Sequence, residues 1–405
     1  MRQPFGPCII DSKLHFKERR VKYDLLLKAG HVIDPANGLD SKMDVGIRDG
    51  KIAAVARDLP SSQAATAIDA SGRVVTPGLV DLHTHSYGYF AWTFPDEYAF
   101  PAGVTTVVDA GGSGYRNFDD FKRTIIDKAN VRLLVLLNIV GGGMLGPVEQ
   151  DTAEMRPEPC AEVVRANPDV IVGVKAAHYR GRGWESVDGA VEAGEMSGTV
   201  AMIDYSNHPD RTYRELITEH MRPGDMHTHM YGQQHAQIDE DRKVYDYVWQ
   251  ARKRGVLFDV GHGGGSFWFR VAVPSMEQGH VPDTISTDVH KGSFFIPRAT
   301  MPITMSKLMN MGMSLQDAVA KSTIAPARNI NQPELGTLSV GAEADVAVFE
   351  LEEGEFGFVD SGRARMAGTK RLLCHMTVRA GEVVWDLDGL SRPAWETQGD
   401  YVRLD

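Results

Sequence analysis

The sequence has few cysteines, no long apolar run and no pattern of a secretory signal near its first residue. Among its 405 residues there are 3 cysteines, and none belongs to a CxxC pair. This scarcity excludes a disulfide framework and a thiolate zinc cluster, and it favours a reducing compartment. No apolar run exceeds five residues, whereas a membrane helix needs about 20. We therefore expect a cytoplasmic protein without a membrane span.

The sequence also has fewer positively charged than negatively charged residues. The sequence contains 43 Lys and Arg residues against 54 Asp and Glu residues, which gives a formal net charge of -11. An acidic balance argues against nucleic acid or an anionic membrane as the main partner. Hydrophobic residues make up 42% and charged residues 24% of the chain, as is usual in globular proteins. The expected partner is a small-molecule substrate.

Both ends of the chain have the pattern of short strands. Asp49-Gly50 separates two alternating apolar stretches and predicts a hairpin, because both central turn positions favour positive φ. Similar strands with tight turns are predicted at 345–349 and 376–385. The sequence therefore predicts one small β-sandwich domain built from both termini. The predicted divisions are an N-terminal extension (1–21), the β-sandwich domain (22–77 plus 336–390) and a C-terminal tail (391–405).

The middle of the chain, residues 78–335, repeats a strand-plus-helix unit. Eight short apolar or β-branched runs start near Leu79, Gly103, Val131, Asp169, Thr199, Asp225, Val256 and Asp283. Helices are predicted between them at Phe118–Asn130, Tyr213–His220, Asp241–Arg254 and Met301–Met311. Eight such units over about 250 residues are typical of a (β/α)8 TIM-type barrel. The predicted fold class is α/β.

Two histidines end the first of these runs. His83 and His85 are two residues apart on a predicted strand, so both imidazoles point to the same face. At the carboxyl end of a barrel strand that face is the mouth, where barrel enzymes place their active sites. Two converging imidazoles can begin a metal site. An isolated HxH pair could equally consist of structural histidines. The residues at the other strand ends are needed to choose between a metal site and a structural role.

Three other strand ends carry polar residues of the same kind. Lys175 ends the fourth run, His229 the sixth and Asp288 the eighth. A lone lysine at such a position is usually solvated or ion-paired, but a buried lysine loses its proton readily. Its neutral amine can then add carbon dioxide and become a carbamate that bridges two metal ions. Because these strand ends meet only at the mouth of a barrel, their coincidence favours a metal centre.

The sequence resembles the amidohydrolase superfamily, in its dihydroorotase-like branch of amidohydrolases and deacetylases. The resemblance extends from about residue 22 to 386 and rests on PGLVDLHTH (77–85), GVTTVVDAG (103–111), GVK (173–175), THM (228–230), DVGHGGGSF (259–267), STDVH (286–290) and GTLSVGAEADVAVF (336–349). It implies two divalent metal ions, for which we expect zinc, and a carbamate on Lys175 as the bridge. His83, His85 and Asp288 would hold one ion and His229 the other. The resemblance also implies a homo-oligomer.

The fifth strand departs from the family pattern. The family usually has a histidine at the end of this strand, but here Asp204 occupies the position by strand register, and His208 follows four residues later. A carboxylate oxygen is a competent zinc ligand. Asp204 would add a negative charge beside the two ions and cancel the positive charge that they keep after their other ligands are counted. A bridging water molecule would then be less acidic. Alternatively, His208 loops back to the metal.

Further candidates for substrate contact lie in loops expected at the mouth. They are His178, Arg180, His208, His262 and His290. Arg180 and the neighbouring Arg182 could bind a substrate carboxylate in a bidentate manner, or they could be solvated loop charges. The glycine runs at 111–114, 141–143 and 263–265 match no phosphate-binding motif. They are better explained by backbone room around the mouth.

The predicted function is metal-dependent hydrolysis. A metal-activated hydroxide attacks a carbonyl carbon, and Asp288 carries a proton from the attacking hydroxide to the leaving group. The predicted substrates are small N-acyl amino acids or O-acyl hydroxy acids. The alternative within catalysis is opening of a cyclic amide such as a dihydropyrimidine, dihydroorotate or hydantoin ring. A non-catalytic binding or assembly protein of the same fold is the other class that the sequence leaves open.

Overall fold

The computed structural model describes residues 21–88, 94–235 and 237–400. Almost all of the predicted N-terminal extension, and the last five residues of the predicted tail, lie outside these ranges. The described strands are β1 (Tyr23–Asp34), β2 (Leu39–Arg48), β3 (Lys51–Ala56), β4 (Ala64–Asp69), β5 (Val74–Pro77), β6 (Leu79–Thr84), β7 (Val104–Gly114), β8 (Arg132–Asn138), β9 (Ile171–Ala176), β10 (Val200–Ile203), β11 (Met226–His227), β12 (Leu257–Phe258), β13 (Val346–Val359), β14 (Arg365–Arg379) and β15 (Glu382–Asp386).

The helices lie mostly between the strands of the middle segment. They are α1 (Pro95–Ala99), α2 (Phe118–Thr124), α3 (Pro157–Ala166), α4 (Glu185–Ser197), α5 (Tyr213–Glu215), α6 (Asp246–Arg254), α7 (Phe269–Glu277), α8 (Met301–Asn310), α9 (Leu315–Ala320) and α10 (Ile324–Asn329). A π-helical turn at Leu216–His220 continues α5. No helix in the described ranges combines the length and apolar character that crossing a membrane requires.

One predicted helix starts too early. The helix expected from Asp241 begins at Asp246, because the preceding residues form a turn instead. The N–H of Asp239 donates to the carbonyl of Lys243 at 2.8 Å, and the N–H of Tyr245 donates to that of Gln237 at 3.0 Å. These bonds satisfy the backbone without a helix.

The two ends of the chain share one eight-stranded sheet. Its order is β15-β14-β13-β5-β1-β2-β3, and β4 pairs with β1. The predicted hairpin joins β2 to β3, with φ of 50° at Asp49 and 72° at Gly50. Ile52 of β3 packs in the same buried cluster as Val348 of β13 and Met376 of β14, so the sheet curls over on itself. The prediction of a sheet domain built from both termini is confirmed.

The middle segment forms a second sheet that is entirely parallel. It has seven strands in the order β12-β11-β10-β9-β8-β7-β6, and each begins within about two residues of a predicted run. The segment 283–289, predicted as the eighth run, has no assigned strand. It nevertheless pairs at isolated positions with both ends of the sheet, Asp259 with Thr284 and Thr84 with Val289.

The sheet domain lies at the amino ends of the parallel strands. The chain passes from β5 directly into β6 through Gly78, whose N–H donates to the carbonyl of Asp345 at 2.9 Å. Arg132, the first residue of β8, donates to Asp345 at 2.8 Å and to Glu343 at 2.7 Å. The carboxyl ends of the strands are therefore left to build a site.

Candidate metal centre

His83 and His85 converge on Asp288. Both histidines are buried, at the end of β6 and directly after it, and their ring centroids are 5.3 Å apart. The Nε2 atom of His85 lies 2.9 Å from Oδ1 of Asp288, and that of His83 lies 3.6 Å from the same oxygen. Alternation along the strand thus directs both imidazoles to one carboxylate, as predicted.

A buried hydrogen-bond relay fixes the orientation of His83. The hydroxyl of Thr228 donates to Asp259 at 2.8 Å, so its oxygen accepts from Nδ1–H of His83 at 2.9 Å. The Nε2 lone pair of His83 is therefore turned toward Nζ of Lys175, which lies 3.3 Å away. Imidazoles that ligate metals are held by such partners, which select the tautomer.

Lys175 is fully buried at the end of β9. Burial lowers the pKa of its amine, and the carboxylates of Asp204 and Asp288, which raise that pKa, compensate only in part. Gly111 of β7 provides the room: its φ is +92°, and a Cβ there would lie 2.8 Å from Cγ of Lys175. Gly111 therefore fits the expectation that the glycine runs leave room for the backbone around the mouth.

Asp288 sits in a strained loop that two neighbours hold. Its φ is 46°, a conformation that non-glycine residues adopt rarely and often at functional sites. Asp81 anchors the preceding residue, Thr287, through the backbone N–H at 3.0 Å and the hydroxyl at 2.6 Å. Burial raises the pKa of Asp288, but the hydrogen bond and charge of His85 outweigh it, and the pKa is lowered. The carboxylate therefore stays ionised at neutral pH.

Asp204 and His229 form the other side of the site. The N–H of Asp204 donates to the carbonyl of Ala176 at 2.9 Å, which continues the register of β10. His229, with φ of 65°, donates from Nδ1 to the carbonyl of Gly261 at 2.7 Å, and its Nε2 lies 3.5 Å from Oδ2 of Asp204. Burial raises the pKa of Asp204, but the charge of His229 prevails and holds it well below its usual range. Conversely, Asp204 overcomes burial and raises the pKa of His229 to about 9.

This donor set fits divalent metal ions. One ligand atom each from His83, His229 and Asp288 lies within 4.8 Å of the others, and all three residues are buried. The imidazoles of His83 and His229 are held by hydrogen bonds at Nδ1, so their Nε2 atoms face the carboxylates of Asp288 and Asp204. Imidazole nitrogen and carboxylate oxygen are the ligands of catalytic zinc and related ions.

The site opens into a cavity of about 530 Å³. Its walls combine ionisable side chains with neutral hydrogen-bonding groups, which suits a small polar ligand. The lining residues are His85, His178, Asp204, Tyr205, Ser206, Asn207, His229, Gln234, Gly264, Gly265, Ser266, Asp288, His290 and Gly292. Two of the predicted substrate-contacting residues, His178 and His290, are in this lining.

The other three predicted contact residues lie elsewhere in the described structure, outside the cavity lining. His262 is fully buried, stacks on Phe267 and bonds to Nζ of Lys307 at 2.7 Å, because its side chain turns away from the mouth. His208 accepts from the N–H of Asp210 at 3.1 Å within its own loop, so it does not replace Asp204. The side chain of Arg180 is exposed. The described structure thus places these three side chains outside the lining of this cavity, and their contact with substrate stays a prediction.

Several important residues escaped the sequence analysis. Thr228 and Asp259 orient His83, and Glu149 receives a hydrogen bond from His178 at 2.6 Å. Thr228 and Asp259 belong to motifs that were already quoted, and the position of Thr228 directly before His229 was a usable signal. Glu149 lies in a short 3-10 helix (Pro147–Gln150) far from any motif, and nothing in the sequence links it to His178.

Comparison with known proteins agrees with this geometry. The profile of the Amidohydrolase family matches residues 265–385. A deacetylase of Brucella anthropi is 32% identical over 335 residues, which cover 80% of this chain and 83% of that protein. A deacetylase of Agrobacterium fabrum is 33% identical over 77% of this chain and 79% of its own length.

Solved structures give the same result for the whole fold. A structure described as an adenine deaminase superposes with a TM-score of 0.82 at 29% identity, covering 89% of this chain and 99% of that one. A dihydroorotase superposes with a TM-score of 0.79 at 28% identity and the same coverage. The chain belongs to the amidohydrolase superfamily. Within it, the chain falls in the dihydroorotase-like branch with the deacetylases, and it is a hydrolytic enzyme.

Proposed function

We propose that this hydrolase removes an acyl group from a small amide or ester, an N-acyl amino acid or an O-acyl hydroxy acid. The observation that carries the proposal is the convergence of His83, His85, Lys175, His229 and Asp288 at strand ends that open into one polar cavity. The relatives named deacetylases support acyl transfer to water as the reaction.

The proposed cofactors are two divalent metal ions, with zinc as the expected metal. His83, His85 and Asp288 would hold one ion, Asp204 and His229 the other, and Lys175 would bridge them. When bound, such ions supply Lewis acidity for the carbonyl and lower the pKa of a water molecule toward neutrality. The side chains described above fix the place of this chemistry.

Asp288 is the proposed carrier of the proton. Its ionised carboxylate accepts the proton of the attacking water and delivers it to the nitrogen or oxygen that leaves. Oδ1 is occupied by His85, while Oδ2 faces Gly263 and lies 4.0 Å from Nε2 of His290. Oδ2 is thus the atom proposed to move the proton.

The bridge requires a chemical change at Lys175. Its neutral amine forms a bond to the carbon of CO2 and loses one proton to solvent, which leaves an N-linked carboxylate. The lowered pKa of the amine and the room beside Gly111 support this step. Lys175→Ala is expected to bind less than two metal equivalents and to lose several kcal/mol of transition-state stabilisation, about 10³-fold in rate. Partial rescue by a short carboxylic acid would support the carbamate, and an unchanged metal content would exclude the bridge.

The fold proposed for this chemistry is a closed (β/α)8 barrel. The segment 283–289 takes the place of the eighth strand, since it pairs with Asp259 on one side and with Thr84 on the other. The terminal domain is proposed to be a β-sandwich, whose halves are the facing parts of its curled sheet.

Substrate binding is assigned to the neutral side of the cavity. Ser206, Asn207, Gln234 and Ser266 offer hydroxyl and amide groups there. These groups can bind the carbonyl and amide atoms of a linear substrate or of a ring. Opening of a cyclic amide is therefore the alternative proposal. The neighbours include structures described as a dihydroorotase and a hydantoinase, which is consistent with this alternative.

A hydrolysis screen of the zinc-loaded protein separates these substrates. N-Acetyl amino acids, O-acetyl hydroxy acids, dihydropyrimidines and hydantoins would be compared, with adenine as a further arm. We expect release of acetate from the linear compounds, and loss of that release in Asp288→Asn, by about 10² to 10⁴-fold. Turnover of the rings alone would establish the alternative. Two bound metals with no turnover in any arm would contradict the acyl-hydrolase proposal.

A further inference from the structure

We propose that His178 is a third protein ligand of the metal position formed by Asp204 and His229. The inference rests on the proposed function, because it assumes the two-metal centre described there. It assigns to His178 a role different from the substrate contact predicted from the sequence. It also explains how this chain keeps two imidazoles at a position where Asp204 has replaced the usual histidine.

The first argument is that His178 is held in place. Its φ is 58°, so the loop after β9 turns sharply and directs the side chain back to the site. Gln150 donates to the carbonyl of His178 at 2.8 Å and accepts from the N–H of Arg180 at 2.9 Å. These two bonds clamp the loop on both sides of the histidine.

The second argument is the orientation of the ring. Nδ1 of His178 lies 2.6 Å from Oε2 of Glu149, a carboxylate whose side chain is 4% exposed. Nδ1 therefore carries the proton, and Nε2 is the atom turned toward Asp204. A carboxylate that accepts from the far nitrogen of an imidazole is the usual support of a metal-bound histidine. His83 has a corresponding support in Thr228 and Asp259.

The third argument is distance. Nε2 of His178 and Nε2 of His229 each lie 3.5 Å from the same oxygen, Oδ2 of Asp204. A direct hydrogen bond between these atoms would be about 2.7–2.9 Å long. Two ligands of a tetrahedral zinc ion, each about 2.0–2.1 Å from the metal, are about 3.3 Å apart. Both separations are thus near the spacing of ligand atoms around a shared ion.

The ring is also accessible from the side where an ion would enter. The side chain of His178 is 32% exposed, and it lines the cavity together with Asp204 and His229. A neutral imidazole adds a ligand to the ion without adding a second negative charge beside Asp204. The position then has the composition of two histidines and one carboxylate, which is common in catalytic zinc sites.

The test is a cobalt titration of the full-length protein after removal of metals by a chelator. Co²⁺ binding to wild type, His178→Ala and the control His290→Ala would be followed by calorimetry and by visible absorption, which reports the ligand geometry. We expect His178→Ala to bind the first equivalent like wild type. The second should bind more weakly by well over about 100-fold, beyond the roughly 10- to 100-fold loss expected for an outer-shell partner, with an altered spectrum. His290→Ala should retain both equivalents.

Glu149→Ala provides a second variant that leaves the imidazole in place. In this variant the second Co²⁺ equivalent should bind about 10-fold more weakly, as expected for loss of an orienting partner. If His178→Ala does not fold, Glu149→Ala alone tests the ligand role of His178. Wild-type affinity and an unchanged spectrum in both variants would overturn the ligand role. If wild type itself binds fewer than two equivalents, the two-metal centre of the proposed function fails first.

Discussion

The two sides of the proposed metal centre are built in different ways. The first side, His83, His85 and Asp288, takes two proposed ligands from alternate positions of one strand and a third from the next strand position around the sheet. The second side, His178, Asp204 and His229, takes one residue each from three separate strand ends or loops. Local periodicity places the two histidines of the first side, but Asp288 lies in a strained loop against Gly263, so this side should tolerate little backbone change. On the second side the charges of Asp204 and His229 shift one another's pKa, so this side should be more sensitive to a change of charge.

The strongest test of this difference is Gly263→Ala. Gly263 has φ of +52°, and an added Cβ would overlap Oδ2 of Asp288. We expect activity to fall by about 100-fold or more, since a small displacement of a reacting group has that effect, and the first metal to bind more weakly. Gly265→Ala is the matched control, because its Cβ would meet nothing within 4 Å. Equal kinetics and metal affinity in the two variants would contradict the assigned role of Gly263.

A smaller effect is expected from Thr228→Val. Valine keeps the volume but removes the hydroxyl that links His83 to Asp259, so His83 loses the partner of its Nδ1 proton. Metal affinity on the first side should fall by about 10-fold. Thr284→Val is the control: Thr284 also donates to Asp259, at 2.7 Å, but no hydrogen bond joins it to His83. A calorimetric titration that shows equal losses in both variants would mean that Asp259, rather than the tautomer of His83, is responsible.

The smallest effect concerns charge on the second side. In Asp204→His a negative charge is removed beside the ions, so the metal-activated water should lose its proton more easily. The acid limb of the pH–rate profile should move to lower pH by about half a unit to one unit. Asp204→Asn should shift the limb in the same direction while binding the second metal more weakly. An acid limb that stays in place in both variants would show that Asp204 does not govern the water.

Much of the first side could be predicted from the sequence. His83 and His85 stand at the end of a strand, where a period of two residues suffices to place both on one face, and Asp288 lies near the end of the segment that was predicted as the eighth strand. Lys175 and His229 were predicted for the same reason, and the structure brings them to the same cluster. The parallel sheet was predictable because its buried strands are short apolar runs with helices between them.

The loops could not be predicted in the same way. His262 and His208 are close to motifs in sequence, but a single backbone turn decides whether such a side chain faces the mouth or the interior. His262 faces Lys307, where burial lowers the pKa of the lysine to about 7. The pairing of Glu149 with His178 depends on a short 3-10 helix and a loop that meet only in the folded protein. The expected zinc, the cytoplasmic location and the self-association stay predictions.

The pairing of β5 with β13, in which Val75 lies opposite Val348, has a consequence for biosynthesis. The strands β1–β5 leave the ribosome first, yet their sheet is completed only after the entire parallel sheet has been translated. Until then β5 has an unpaired edge, which is a site for wrong association between chains. A product that stops before residue 346 would keep this edge open, and we expect it to associate wrongly more readily than the complete chain.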